Sequence, residues 1–310
     1  MKRFLIKLAI FMAIMMMVDL AVGMAAGLLR QRAPGGVTHK AEYIRQRADE
    51  ELVIVGSSRA SHHIVPRILR DSLGVSVYNA GMDGMGIVYN YGVLLQLLRH
   101  GGVRTVIYEL TPWNDYLTDD NGQYLPNLRN AYGVPGVDSL FWSVDPSERI
   151  KMMSGLYRVN SMLPRLGFDN LSAATDTLWG YEPLWSRYAG ASRLQEEDPS
   201  VSGKYEYDPL KIDLLKKFIR TCRERNIQLV FSVSPYLDRN YSYRYGMALA
   251  EKERVPVVTF RSEPQFFEDI SLYQDPSHLN NTGAELYTRW LVGKLKPILA
   301  DSPGAGRDTI

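Results

Sequence analysis

The chain opens on a run with no polar face. After Met1-Lys2-Arg3, residues Phe4 to Leu29 are apolar apart from Lys7 and Asp19, a pattern that predicts a membrane-type helix rather than an amphipathic one. A spanning helix needs about 20 mostly apolar residues, and Leu8–Leu29 supplies 22 with a single charge among them. From residue 51 the pattern becomes short β-branched runs alternating with amphipathic stretches. Glu51–Val55, Val75–Tyr78 and Arg104–Leu110 read as strands, with helices from Ser58 to about Leu73 and from about Ile87 to His100. The alternation stops between Thr111 and Asp208, where prolines and glycines are frequent. It resumes with a helix over Pro209–Asn226, a strand over Gln228–Val233, a helix over about Tyr241–Glu253, a strand over Val255–Phe260 and a last helix over about Thr282–Leu299. Strand–helix alternation of this kind implies right-handed crossovers and a mainly parallel sheet with helices on both faces.

The expected organisation is a signal-anchor over 1–32, a linker over 33–50 and an α/β domain over 51–300. That domain is interrupted by an insertion over 111–208, and 301–310 is expected to be a flexible tail. Leu8–Val18 has the length of a signal-peptide core, and Ala21–Gly27 offers small residues to a peptidase. The apolar run nevertheless continues to Leu29 before Arg30 and Arg32, which favours an uncleaved anchor over a cleaved signal. The body is then expected in the periplasm or at the cell surface, or secreted if the segment is removed. Asp19 stands out, because a carboxylate near the bilayer centre costs roughly 2.5–3.5 kcal/mol.

Charge becomes informative when divided along the chain. The net +2 splits into +4 for residues 1–32 and −2 for the rest, so the body lacks the basic surface that neutralises phosphates, and nucleic acid is not an expected partner. Composition is that of a globular protein, 45% hydrophobic and 23% charged, which excludes disorder as the main state. The lone Cys222 excludes an internal disulfide framework and a Cys-rich zinc site.

Sites in open parallel sheets form where strand carboxyl ends meet their loops. Gly56-Ser57-Ser58 follows the first strand, placing a hydroxyl at a helix start whose free N–H groups can hold an oxyanion; either serine could equally cap that helix. After the second strand, Gly81 allows close approach of a backbone N–H, or simply makes a turn. After the third, Asn114 offers a side-chain amide, or turn chemistry beside Pro112. In Asp275-Pro276-Ser277-His278 the carboxylate can bond one ring nitrogen, leaving the other as general base for a serine. His62 and His63 lie one helical turn beyond Ser58 and could support the site, whereas Arg59 reads as an anion contact or a solvated helix charge. Gly56-Ser57-Ser58-Arg59-Ala60 lacks the second glycine of the α/β-hydrolase nucleophile elbow. No Walker loop or metal-ligand spacing is present, so no cofactor and no metal are expected.

Serine after the first strand, glycine after the second, asparagine after the third and Asp-x-x-His before the last helix together resemble the SGNH or GDSL hydrolase superfamily. The resemblance covers roughly residues 50–115 and 209–299. It implies a flavodoxin-like doubly wound sheet with Ser58 as nucleophile, His278 as base and Asp275 as orienting acid, and with Ser58, Gly81 and Asn114 forming the oxyanion hole. The third block departs from the usual Gly-x-Asn-Asp, reading Leu110-Thr111-Pro112-Trp113-Asn114-Asp115. The Gly-Ser-Ser variant behind a membrane segment looks similar to exported proteins of cell-surface polymer acylation. That likeness implies a serine esterase or O-acyltransferase acting on an acylated carbohydrate or envelope polymer, with an acyl-exporting membrane protein as partner. The alternative is an envelope assembly or carbohydrate-binding protein that keeps the fold without turnover. Residues 111–208 hold four tryptophans and eight tyrosines, suited to a subdomain core, a substrate lid or contact with a membrane surface.

Overall fold

A computed structural model describes residues 1–171, 174–190, 205–237, 243–260 and 263–300. The expected tail, 301–310, lies outside the described residues. In chain order the elements are α1 (Lys2–Arg32), α2 (Gly36–Gln46), β1 (Leu52–Gly56), α3 (Ser58–His63), α4 (Pro66–Leu73), β2 (Val77–Asn79), α5 (Ile87–Leu97), β3 (Thr105–Glu109) and α6 (Pro112–Asp115). Short helices α7 (Val137–Val144), α8 (Glu148–Lys151), α9 (Gly155–Val159) and α10 (Leu163–Leu171) follow. The chain then runs through α11 (Pro209–Glu224), β4 (Gln228–Val233), α12 (Arg244–Lys252), β5 (Val257–Thr259), α13 (Gln265–Glu268), β6 (Tyr273–Asp275), β7 (His278–Leu279) and α14 (Asn281–Ala300). The described residues fold into two compact units: one from 1–46 with 121–176, the other from 47–120 with those beyond 176.

The larger unit is α/β. Its five-stranded sheet has the order β2-β1-β3-β4-β5 with every pair parallel, the doubly wound arrangement whose direction of winding reverses between β1 and β3. Leu52, Val53, Ile54 and Val55 are all buried, as expected of a strand covered on both faces. Helix α5 packs with α11, and α14 with α3 and α4. The single helix expected from Ser58 to Leu73 is broken: Ile64 and Val65 are extended and Pro66 restarts a helix at its first turn, because the residue before a proline avoids helical angles. Asp208 caps α11 by accepting from the N–H groups of Leu210 and Lys211.

In the smaller unit, α1 is an apolar helix long enough to cross a membrane. Residues 33–50, expected as linker, carry α2, whose Thr38 N–H donates to Asp169 Oδ2 at 2.8 Å. One face of α1 is engaged: Ala26 packs with Val159, Leu166 and Val22, and Asp19 accepts three hydrogen bonds from residues 154–156.

Candidate active site

The site lies at the carboxyl ends of β1 and β3, beside the winding reversal. Gly56 ends β1 at φ +144°, and a Cβ there would meet the Glu109 carbonyl at 2.7 Å; glycine is required both by the angle and by the space. The turn it makes leaves Ser57 extended as the cap residue of α3, with no side-chain capping bond. Ser57 therefore occupies the cap position without bonding the helix through its side chain. Ser58 begins α3, and its Oγ lies 2.7 Å from Nε2 of His278.

His278 and Asp275 face each other across the tight β6–β7 hairpin. Asp275 Oδ1 accepts from the backbone N–H groups of Ser277 (2.8 Å) and His278 (3.0 Å), while Oδ2 lies 2.9 Å from His278 Nδ1. An ionised carboxylate only accepts, so the Nδ1 proton points to Asp275. Nε2 is then the acceptor facing Ser58, in the tautomer a general base needs. Three expected residues separated by up to 220 positions are thus brought into one hydrogen-bonded chain.

Gly81 and Asn114 take positions that are set by packing. A Cβ on Gly81 would fall 2.6 Å from the Ser61 nitrogen, so glycine lets the loop after β2 lie directly on α3. Its N–H donates to Asn79 Oδ1 at 3.0 Å, and Asn79 Nδ2 in turn donates to the carbonyls of Ala60 and Ile64. Asn114 sits in α6, the short helix that absorbs the irregular third block, and its Nδ2 donates to the Gly84 carbonyl at 3.0 Å. Asp115 stabilises that turn by accepting from Tyr108 Oη and the Thr111 N–H. Burial pushes its carboxyl up to about 7, against the pull of those two donors.

Three neighbours complete the site. Leu279 N–H donates to His63 Nε2 at 2.9 Å, and His63 Nδ1 bonds Ser234 Oγ, which donates to Glu109 Oε1. His63 therefore ties the residue after His278 to the sheet. Burial, reinforced by the neighbouring His278 and the Arg59 charge, holds its pKa well below the usual imidazole range. His62 has Nδ1 on the Glu182 carbonyl (2.6 Å) and Nε2 on Asp83 (3.1 Å), with its ring 5.8 Å from that of His278. Burial disfavours its charged form, but the Asp83 bond and charge outweigh this and raise the pKa.

Arg59 is not a solvated helix charge, and the anion it faces belongs to the chain itself. It is buried, donating to the Leu110 carbonyl and Tyr243 Oη, 3.8 Å from Glu109 and against the Tyr236 ring. Only its place beside Ser58, on the inward side of a buried turn, could have revealed this. Among the described residues no group of three or more His, Cys, Asp or Glu side chains is placed to hold a metal.

No family model matches the chain, and no curated protein matches it. Among solved structures it is similar to a protein from Desulfitobacterium hafniense DCB-2 assigned to the G-D-S-L lipolytic family (TM-score 0.41, 10% identity, covering 78% of this chain and 97% of that one). It is also similar to a protein assigned as a platelet activating factor from Streptococcus pneumonia (TM-score 0.36, 12% identity, 89% and 98%). Likenesses at these scores say nothing of chemistry, which rests on the geometry of Ser58, His278 and Asp275.

Proposed function

We propose that the chain is a serine-dependent acyl-transferring enzyme of SGNH type, an esterase or O-acyltransferase. The observation that carries this reading is the Ser58 Oγ–His278 Nε2 contact with Asp275 on the opposite ring nitrogen. As Ser58 Oγ attacks an acyl carbonyl, its proton passes to His278 Nε2, and Asp275 stabilises the resulting imidazolium. The oxyanion is received by the Ser58 N–H, which as the first residue of α3 lacks an intrahelical acceptor, together with the Gly81 N–H and the Asn114 amide. Gly81 must share its bond to Asn79, whereas Asn114 has a second amide proton beyond the one given to Gly84. His278 then returns the proton to the departing alkoxide, leaving an acyl group on Ser58 Oγ. Water or an acceptor hydroxyl, deprotonated by His278, releases it.

Helix α1 is read as an anchor that holds the α/β unit outside the cytoplasm, where the substrate is an acylated carbohydrate or other envelope polymer and an acyl-exporting membrane protein is the fitting donor partner. The basis for this part is the length and apolarity of α1 and the resemblance of the Gly-Ser-Ser block to polymer-acylating proteins. The test is labelling with a serine-directed fluorophosphonate and hydrolysis of a simple acetyl ester, on wild type and Ser58→Ala. Wild type is expected to label and turn over, and Ser58→Ala to do neither. A folded wild type that neither labels nor cleaves the ester would leave the non-catalytic assembly or carbohydrate-binding reading in its place.

A further inference from the structure

The smaller unit carries an arrangement that catalysis does not use. Asp19, the carboxylate inside the apolar helix, is fully engaged by a turn distant in sequence: its Oδ1 accepts from Ser154 Oγ (2.6 Å) and the Leu156 N–H (2.9 Å), and its Oδ2 from the Gly155 N–H (2.7 Å). One helical turn further along α1, a Cβ on Gly23 would lie 3.1 Å from the Gly155 Cα, so the two backbones meet where neither carries a side chain. Ala26 then packs on Val159 and Leu166, and Arg30 Nη2 donates to the Arg158 carbonyl at 3.3 Å. The 154–166 segment is thus docked along α1 from Asp19 to Arg30.

Helix length sets the depth of that docking. Hydrocarbon about 30 Å thick takes about 20 residues at 1.5 Å each. A span beginning at Phe4 reaches Gly23, and one beginning after Lys7 reaches Gly27; Asp19 is inside the hydrocarbon in both cases. The Ser154–Leu156 turn bonded to it must be at that depth as well. Side chains there have the character such a position demands. Ile150, Met153 and Leu156 around the turn, and Leu163, Phe168 and Leu171 on α10, are all exposed large apolar groups, with Met153 at 79% and Leu171 at 88% of full exposure. The charged groups among them are Lys151, which pairs with Asp145 and Glu148, the three bases Arg149, Arg158 and Arg165, and Glu148 and Asp169, which are both buried. Apolar groups with a basic fringe suit the boundary between acyl chains and anionic headgroups.

We propose that residues 146–171 form a membrane-inserted foot, contacting lipid acyl chains in the leaflet from which α1 emerges and supplying the donors that make Asp19 tolerable within the bilayer. The inference rests on α1 as an anchor and extends it to a second, non-spanning membrane element. It is tested on the full-length chain in vesicles of phosphatidylcholine and phosphatidylglycerol, with bimane placed on single cysteines at Met153 or Leu156. Met16→Cys serves as the reference within α1, and exposed Ser139→Cys as the aqueous reference. The native Cys222 is buried, its thiol pushed up to about 12 by burial, so it does not compete for label. Doxyl groups on the lipid tails are expected to quench positions 153 and 156 as strongly as position 16, with iodide quenching only position 139. Iodide quenching at 153 and 156 while position 16 remains lipid-quenched would overturn the foot and leave the anchor standing. Shielding of 153 and 156 from both quenchers would replace lipid with a protein partner or a second copy. Iodide quenching at position 16 would remove the anchor and the foot together.

Discussion

Asp275 holds a turn and the His278 ring with one carboxylate, accepting two backbone N–H groups and the His278 Nδ1–H. Asp275→Asn preserves the shape of the side chain but can present an N–H to the ring and reverse the tautomer. It is expected to lower kcat on an acetyl ester by on the order of 10³–10⁴ with little change in KM, which steady-state kinetics would show. His63 has a different signature, because it is held neutral in the interior. The unfolded chain takes up a proton as pH falls through about 6.5 and the folded chain does not, so the unfolded state binds more protons there. Stability is therefore present above that pH and lost below it, down to the depressed folded value, by up to about 1.4 kcal/mol per pH unit. His63→Gln is expected to flatten this part of the profile, measured by urea denaturation between pH 7 and pH 5. Arg59→Met leaves Glu109 buried beside an uncharged group and is expected to cost about 3–5 kcal/mol, read as a lower urea midpoint with unchanged slope. The Asp275–His278 pairing was legible because the two residues are three positions apart, whereas their meeting with Ser58 was not, because 220 positions separate Ser58 from His278. Arg59 was misread because a charge beside a half-buried serine can still point inward.

At the scale of elements, apolar patterning marked each strand of the five-stranded sheet to within a few residues, since a strand buried on both faces is a continuous apolar run, but it did not mark β6 and β7, which are too short to carry a pattern. Helix limits were less legible where a proline intervened, as at Pro66, or where an irregular block closed into a short helix, as at Pro112–Asp115. The α1–α9 contact was not legible, because it joins Gly23 to Gly155 through an approach that no local pattern records. A side chain there should force the pair apart. Gly155→Val, whose Cβ would lie 2.7 Å from the Asp19 carbonyl, is expected to destabilise the smaller unit by about 1–3 kcal/mol. Limited proteolysis across residues 144–171 in detergent would show it as faster cleavage, while fluorophosphonate labelling of Ser58 reports separately on the α/β unit.

For the molecule as a whole, the anchor reading makes a topological prediction. Alkaline phosphatase fused after residue 300 is expected to be active and a fluorescent protein that matures only in the cytoplasm to stay dark; the reverse pair would place the α/β unit inside the cell. Read alone, the sequence determined the alternation that builds a parallel sheet, the apolar helix at its start and the Asp-x-x-His spacing before the last helix, because each is written in neighbouring positions. Tertiary structure decided what depends on distant ones. The packing of β7 against α3 brought His278 Nε2 to 2.7 Å from the Ser58 hydroxyl. Packing turned Arg59 inward and made His63 a clamp on the His278 strand. Asp19, a costly charge when only its own helix is considered, became a satisfied one once residues 154–156 closed over it. A hydrogen bond depends on where its partner lies in space, and only the folded chain brings residue 154 to residue 19.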